Sequence, residues 1–210
     1  MVITGICRQR RSLYRLILDG QEGPTVDAAY WDTLPYRAGD EITPAQLEAA
    51  VAGANLSRGR EKALYLLGLR DYAAKELERK LSQDVGADAA RQTVERLTEV
   101  GLLDDERFAR NLARSLREYK QYPRSRILQE LLRRGVARVI AENAVEDSET
   151  DDLQQALAIL RKKYYNKCQD RDSRQKVMAA LARRGFGYAT VRRAMEEIGA
   201  DPGDEVDTWQ

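Results

Sequence analysis

The chain is predicted to be mostly α, an elongated array of three tandem three-helix repeats with a small N-terminal β element. Two observations predict that class. Beyond Ser57 the apolar residues recur with a period close to 3.6, in runs no longer than about sixteen residues, which is the pattern of short amphipathic helices. The pattern also repeats. Leu131, Arg133, Arg134, Gly135, Val136, Ala144 and Val145 match Leu181, Arg183, Arg184, Gly185, Phe186, Ala194 and Met195 at a shift of fifty. A shift of fifty-one carries Leu128, Leu132, Val136 and Val145 back onto Leu77, Leu81, Val85 and Val94.

The first forty residues differ from the rest. Residues 2–7 and 13–18 are β-branched and apolar, the turn-prone pair Asp19-Gly20 follows, and residues 24–26 add a third short strand. This predicts a sheet too small to be a core, with Tyr30, Trp31 and Leu34 as its lid. Thr43-Pro44-Ala45-Gln46 is a capping box with proline at the first helical position, opening a short helix that should run to about Ala52. Ala63, Leu64 and Leu67 mark the next helix, Ala73, Leu77 and Leu81 another, and Ala90, Val94 and Leu97 a third. Residues 105–119, 124–134 and 137–146 form a second triplet, and 152–165, 173–184 and 188–198 a third. The domain plan is therefore 1–54 for the β element and its helix, 55–103, 104–148 and 149–199 for the repeats, and 200–210 for an acidic tail without order. Each repeat is too small to bury its apolar face alone, so neighbours should stack.

Glycines set the corners. Gly101 follows Leu97 at the spacing of a Schellman motif, with Gly101 left-handed and Leu102 folded back onto Leu97. Gly135 and Gly185 repeat the arrangement, placing Val136 over Leu131 and Phe186 over Leu181. The first repeat has Asp84 in that position, which predicts a looser corner. Asp104 and Asp105, like Asp151 and Asp152, open helices, where a carboxylate caps free N–H groups and meets the positive end of the dipole.

Composition removes several functions. Without histidine there is no Ser-His or Cys-His nucleophile pair and no His-based metal site. The phosphate-binding Gly-x4-Gly-Lys-Ser/Thr loop and the dinucleotide fingerprint are both missing. Cys7 and Cys168 lie far apart in no metal-ligand spacing and read as reduced, buried or half-buried thiols. No enzymatic activity and no cofactor are expected. The N-terminus has no signal-length apolar run and no stretch approaches the roughly 20 apolar residues of a membrane span, so a cytoplasmic protein without membrane contact is expected.

Net charge is only +1, yet the charges are segregated. Arg8, Arg10, Arg11 and Arg15 crowd the N-terminus, as a solvated hairpin face or as a patch facing nucleic acid or an acidic partner. Residues 151–198 carry eleven Lys/Arg against six Asp/Glu, and the last twelve residues carry four acids and no base. Arg133/Arg134 and Arg183/Arg184 end corresponding helices. There they either complement the dipole or line a binding face. Arg124 and Arg126 on the same helix favour the second role, as do Lys162 and Lys163 with Arg161, Lys167, Tyr164 and Tyr165 in the last repeat. The candidate surface is thus Arg124, Arg126, Arg133, Arg134, Lys162, Lys163, Arg183 and Arg184, suited to carboxylates, phosphates or stacked bases.

The segment from Gly101 through Leu102, Leu103, Asp104, Asp105, Arg107 and Phe108 to Ala109 resembles the RecX family of bacterial recombinase regulators, in which GLL(D/N)D-x-RFA joins two helical repeats. Arg60, Ala63, Leu66, Leu67, Arg70, Glu76, Leu77, Lys80 and Leu81 resemble its first repeat. Pro123, Arg126, Ile127, Glu130, Leu131, Gly135 and Val136 resemble its second, with Tyr122 standing where the family usually has Gly. The resemblance spans about residues 55–198 and implies a monomeric regulator that binds the RecA protein and the RecA–DNA filament. Its expected effect is to restrain ATPase, co-protease and strand-exchange activity, with at most weak direct contact to DNA. The alternative is a basic helical-repeat protein that binds nucleic acid and acts by competing for DNA.

Overall fold

The computed structural model describes residues 1–9, 12–146, 151–164 and 170–199. In chain order the elements are β1 (Ile3–Gln9), β2 (Leu13–Leu18), β3 (Gln21–Asp27), α1 (Ala28–Trp31), α2 (Pro44–Leu69), α3 (Ala74–Val85) and α4 (Ala87–Glu99). Then follow α5 (Asp105–Lys120), α6 (Arg124–Arg133), α7 (Arg138–Glu146), α8 (Asp152–Lys163), α9 (Arg171–Arg183) and α10 (Tyr188–Glu197). They form two compact units, Met1–Asp104 and Asp105–Gln210.

In the first unit β1, β2 and β3 pair antiparallel in that order. Asp19 and Gly20 both take positive φ, 48° and 79°, as a two-residue hairpin turn compatible with strand twist requires. The sheet does carry a core, contrary to the expectation from its size. Ile3, Leu16 and Val26 are buried with Trp31, Ile42, Ala50 and Ala54, because the first half of α2 supplies a second layer.

That helix is the largest departure from the sequence reading. Thr43 and Gln46 form the capping box as expected, but the helix runs 26 residues instead of stopping near Ala52. No proline interrupts it, and its glycines sit where other groups press on the helix. A Cβ at Gly53 would overlap the Tyr30 hydroxyl, and one at Gly59 would lie 2.7 Å from Thr93 Oγ1. Its first half serves the sheet. Its second half packs with α3 and α4 around Ala63, Leu77, Leu81, Val85, Ala90, Val94 and Leu97. The turn into α3 is locked by Arg70, which donates to Glu76 Oε1 at 2.7 Å and lies 3.6 Å over the Tyr72 ring. That bond to Glu76 raises the pKa of Arg70 against the opposing effect of burial.

The first repeat also differs in register. The fully buried pairs are Leu77/Leu81, Ile127/Leu131 and Val177/Leu181, related by a shift of fifty throughout, whereas Leu128 and Leu132 are only half-buried. The shift of fifty-one holds only past the corner, where Val85 and Val94 correspond to Val136 and Val145. One residue is missing there. In the first repeat Val85 covers Leu81 from one helical turn on, and Gly86 (φ 83°, ψ 163°) alone joins α3 to α4. The corner is therefore tighter than Asp84 implied. Asp84 stays helical and pairs with Lys62.

The Gly135 and Gly185 corners are Schellman motifs. Val136 N–H donates to Leu131 O (3.1 Å) and Gly135 N–H to Leu132 O (2.9 Å); Phe186 donates to Leu181 O (3.2 Å) and Gly185 to Ala182 O (2.7 Å). Gly101 does the same, with Leu102 N–H on Leu97 O at 2.9 Å. Leu102, however, is 50% exposed, and Leu103 is the buried residue. This corner joins two repeats instead of two helices of one repeat, so the apolar anchor falls one residue later. The second unit repeats the three-helix plan twice, with α5 and α6 against α7 and with α8 and α9 against α10. The last core contains Leu153, Leu157, Leu160, Val177, Leu181, Phe186, Val191 and Met195.

Candidate binding surface

The N-terminus of α6 is where the second and third repeats meet. Pro123 precedes the helix without a side-chain cap of its own. The cap comes from the next repeat, since Arg124 N–H donates to Asp152 Oδ1 at 3.0 Å. Asp151 meanwhile accepts from Leu153 N–H at 3.2 Å and caps α8. The two adjacent carboxylates thus cap two different helices. From the other side α6 satisfies the end of α9. Ser125 Oγ donates to Gly185 O at 2.7 Å, and Arg126 Nη1 donates to Arg183 O at 2.9 Å. The Arg183 carbonyl belongs to the last turn of α9 and the Gly185 carbonyl to the corner just past it, where the helix supplies no donors. Tyr122 supports the clamp, its ring 4.6 Å beneath the Arg126 guanidinium.

Tyr122 does not need the glycine of the family pattern. The left-handed residue is Gln121 (φ 54°), one position earlier, and Tyr122 N–H reaches Leu116 O at 3.3 Å.

The eight candidate residues therefore separate by what they hold. Arg124 and Arg126 sit at the joint. Arg133 grips Glu130 with two hydrogen bonds, Nε at 3.0 Å and Nη2 at 2.5 Å, and Arg134 lies 3.6 Å from the same carboxylate. The hydrogen bond from Arg133 holds the Glu130 pKa below its usual value; burial opposes this, and the charges of both arginines add to it. Lys162, Lys163 and Arg183 are exposed and Arg184 is half-buried, and their side chains have no hydrogen bond or ion pair among the described residues. Tyr164 packs against the last core, while Tyr165, Lys167 and the acidic tail lie outside the described residues.

Arg117 on α5 is one residue the sequence reading missed. It is 9% exposed, and its Nε and Nη2 have no hydrogen-bond partner among the described residues. Desolvation lowers its pKa, the charge of Arg124 lowers it further, and Asp152 pulls it back. Its position in the apolar stripe of α5, one turn past Ala113, was the available signal, since an arginine there is forced inward. Ser125 carried no signal at all; its role depends on a partner sixty residues away.

At the N-terminus, Arg15 pairs with Glu22 at 2.7 Å and donates to Thr25. Arg8 is exposed, and Arg10 and Arg11 lie outside the described residues. Cys7 is exposed instead of buried, because the end of β1 extends past the covering layer; Cys168 lies outside the described residues. Among the described residues no cluster of three or more Cys, Asp or Glu could hold a metal, and no helix is long and apolar enough to cross a membrane.

Residues 104–145 match the family model for the second three-helix domain of RecX, and 149–195 match that for the third. A regulatory protein RecX from Halorhodospira halophila is 40% identical over 158 residues, covering 73% of this chain and 95% of the relative. The chain belongs to the RecX family. A crystal structure of a regulatory protein RecX superimposes with a TM-score of 0.63 over 94% of this chain and 98% of that one, at 20% identity. RecX from Lactobacillus salivarius does so with a TM-score of 0.62 over 69% and 97%, at 24% identity. The clamp of Ser125, Arg126 and Asp152 thus lies where two RecX three-helix domains join.

Proposed function

We propose that this chain binds the RecA recombinase and its filament on DNA and restrains ATP hydrolysis, co-protease action and strand exchange, as a non-catalytic cytoplasmic monomer. Membership of the RecX family carries this reading, with two of its three-helix domains matched in succession. Chemistry supports it. Lys162, Lys163, Arg183 and Arg184 are cations left without carboxylates among the described residues of the third repeat, available to an acidic groove on a protein or to phosphates. Arg124 and Arg126 add charge at the joint between the repeats, and Arg133 and Arg134 add charge on α6, where they pair with Glu130.

Titrating the protein into RecA on single-stranded DNA tests the proposal. Hydrolysis should slow at sub-stoichiometric protein, since a ligand that spans or caps protomers affects more of them than it touches. No inhibition at equimolar protein, under conditions where filaments form, refutes it. A second reading, competition for DNA itself, rests on the same unpaired cations. It predicts that changing all four to Gln weakens binding to bare DNA and to filaments equally, with a steep dependence on salt. Regulation through RecA predicts loss at the filament with a shallower salt dependence.

A further inference from the structure

Because α2 serves two separate cores, it leaves a groove between them. Its first half lies on the sheet and its second half on α3 and α4, so the stretch around Val51 faces a gap between β3 and the start of α4. The gap measures about 550 Å³, within the range of about 300–1,000 Å³ typical of ligand sites. Leu47, Val51 and Leu56 of α2, Pro24 of β3 and Ala89 of α4 give it an apolar floor. The one-residue corner puts Gly86, which has no side chain, at the cap position of α4, and no other side chain caps that helix. Ala90 N–H donates to Gly86 O at 3.1 Å, whereas the N–H groups of Ala87, Asp88 and Ala89 come too early to meet a carbonyl of their own helix. All three residues line the groove, so it ends at the positive pole of α4. The rim has the opposite sign. Glu48 is exposed with no hydrogen bond or ion pair among the described residues, and Asp88 has only an exposed contact with Arg91 at 3.4 Å. The Met1 ammonium, which also borders the groove, donates to Ile42 O at 3.3 Å.

We propose that this groove binds a short basic segment of another protein, with a backbone carbonyl on the first N–H groups of α4, aliphatic side chains on the floor and a Lys or Arg on Glu48. The two carboxylates repel an anion that the helix pole alone would attract, while a neutral peptide carbonyl meets no such repulsion. Charge also excludes the chain's own end. Its last twelve residues carry four acids and no base. The proposal goes beyond the action on RecA, which rests on cations of the other unit, so either can fail without the other.

Titration of the isotope-labelled full-length chain with acetylated, amidated peptides Lys-X-X-Lys, an equimolar mixture in which X is Val, Leu, Ile or Met, tests this. Proton–nitrogen correlation spectra should show saturable shifts at Asn55, Ala87, Asp88 and Ala89. Glu48→Lys should weaken binding at least about tenfold, the loss expected for one charge-assisted contact. Ala52→Trp, at an exposed helix position lining the groove, should fill the space and weaken binding by at least as much. Glu61→Lys makes the same charge change on the same helix away from the groove and should bind as wild type does. Circular dichroism should show all three variants folded, since each change lies at an exposed helix position. No shifts at the start of α4, equal losses in Glu48→Lys and Glu61→Lys, or unchanged binding by Ala52→Trp overturns the proposal. So does tighter binding of the acidic series Glu-X-X-Glu, which would assign the groove to carboxylates held by the helix pole.

Discussion

Replacing Gly185 tests the joint and the corner together. Gly185 has φ 97°, and an added Cβ would lie 3.1 Å from Arg126 Cβ and 3.4 Å from Pro123 Cγ. Gly101 has φ 74° and open space around it, so it reports the backbone effect alone. A side chain in the left-handed region costs about 1–2 kcal/mol, which is the expected loss for Gly101→Ala. Gly185→Ala adds a push on α6. If α6 moves away, the Ser125–Gly185 and Arg126–Arg183 hydrogen bonds weaken, at about 1 kcal/mol each, giving a total of about 2–4 kcal/mol. Gly185→Val should be worse, and Gly135→Val (φ 89° at Gly135) should also lose a few kcal/mol. Urea denaturation followed by circular dichroism measures these losses, and Ser125→Ala should cost less in the Gly185→Ala background than in wild type. Agreement between Gly185→Ala and Gly101→Ala within about 0.5 kcal/mol would refute the steric and hydrogen-bonding account of the joint.

Arg117→Met should be neutral or stabilise by about 1 kcal/mol in the same assay, because it replaces a buried guanidinium with two unpartnered nitrogens by an apolar chain of similar length; a loss above about 2 kcal/mol would show that Arg117 is paired in solution. Gln121→Gly should stabilise by about 0.5–1 kcal/mol, since Gln121 has φ 54°, and a destabilised variant would contradict the left-handed assignment. Glu130 is held below its usual pKa in the folded state, so its ion pairs stabilise fully above the ordinary carboxylate value of 4.5 and fade as pH falls through the lower folded value. The stability advantage of wild type over Glu130→Gln, at most about 1 kcal/mol, should therefore be constant from pH 6 to pH 7 and shrink below about pH 4.5. A difference that grows on acidification would reverse the sign of the argument.

What the sequence determined by itself was local or periodic. The 3.6 period, the capping box at Thr43, the glycines at 101, 135 and 185 and the cap at Asp151 each act through neighbours within five residues, so a single chain read alone locates them. The recurrence at fifty residues revealed the repeats for the same reason: each copy solves one packing problem with the same spacing. Where a long-range partner decides the outcome, the reading failed. The stop expected near Ala52 vanished because the sheet and the α3–α4 pair need opposite halves of one continuous helix. The one-residue difference at Gly86 was invisible to a shift that matched Leu to Leu, since Leu128 and Leu132 resemble core residues in type but not in burial. The paired arginines could be assigned to a helix end but not to a role. Only the tertiary structure put Arg126 on the carbonyl of Arg183 and Asp152 on the N–H of Arg124. Hydrogen bonds between groups 28 or 57 residues apart form because packed helix ends leave carbonyls and N–H groups in need of partners, and no periodicity records which partner will arrive.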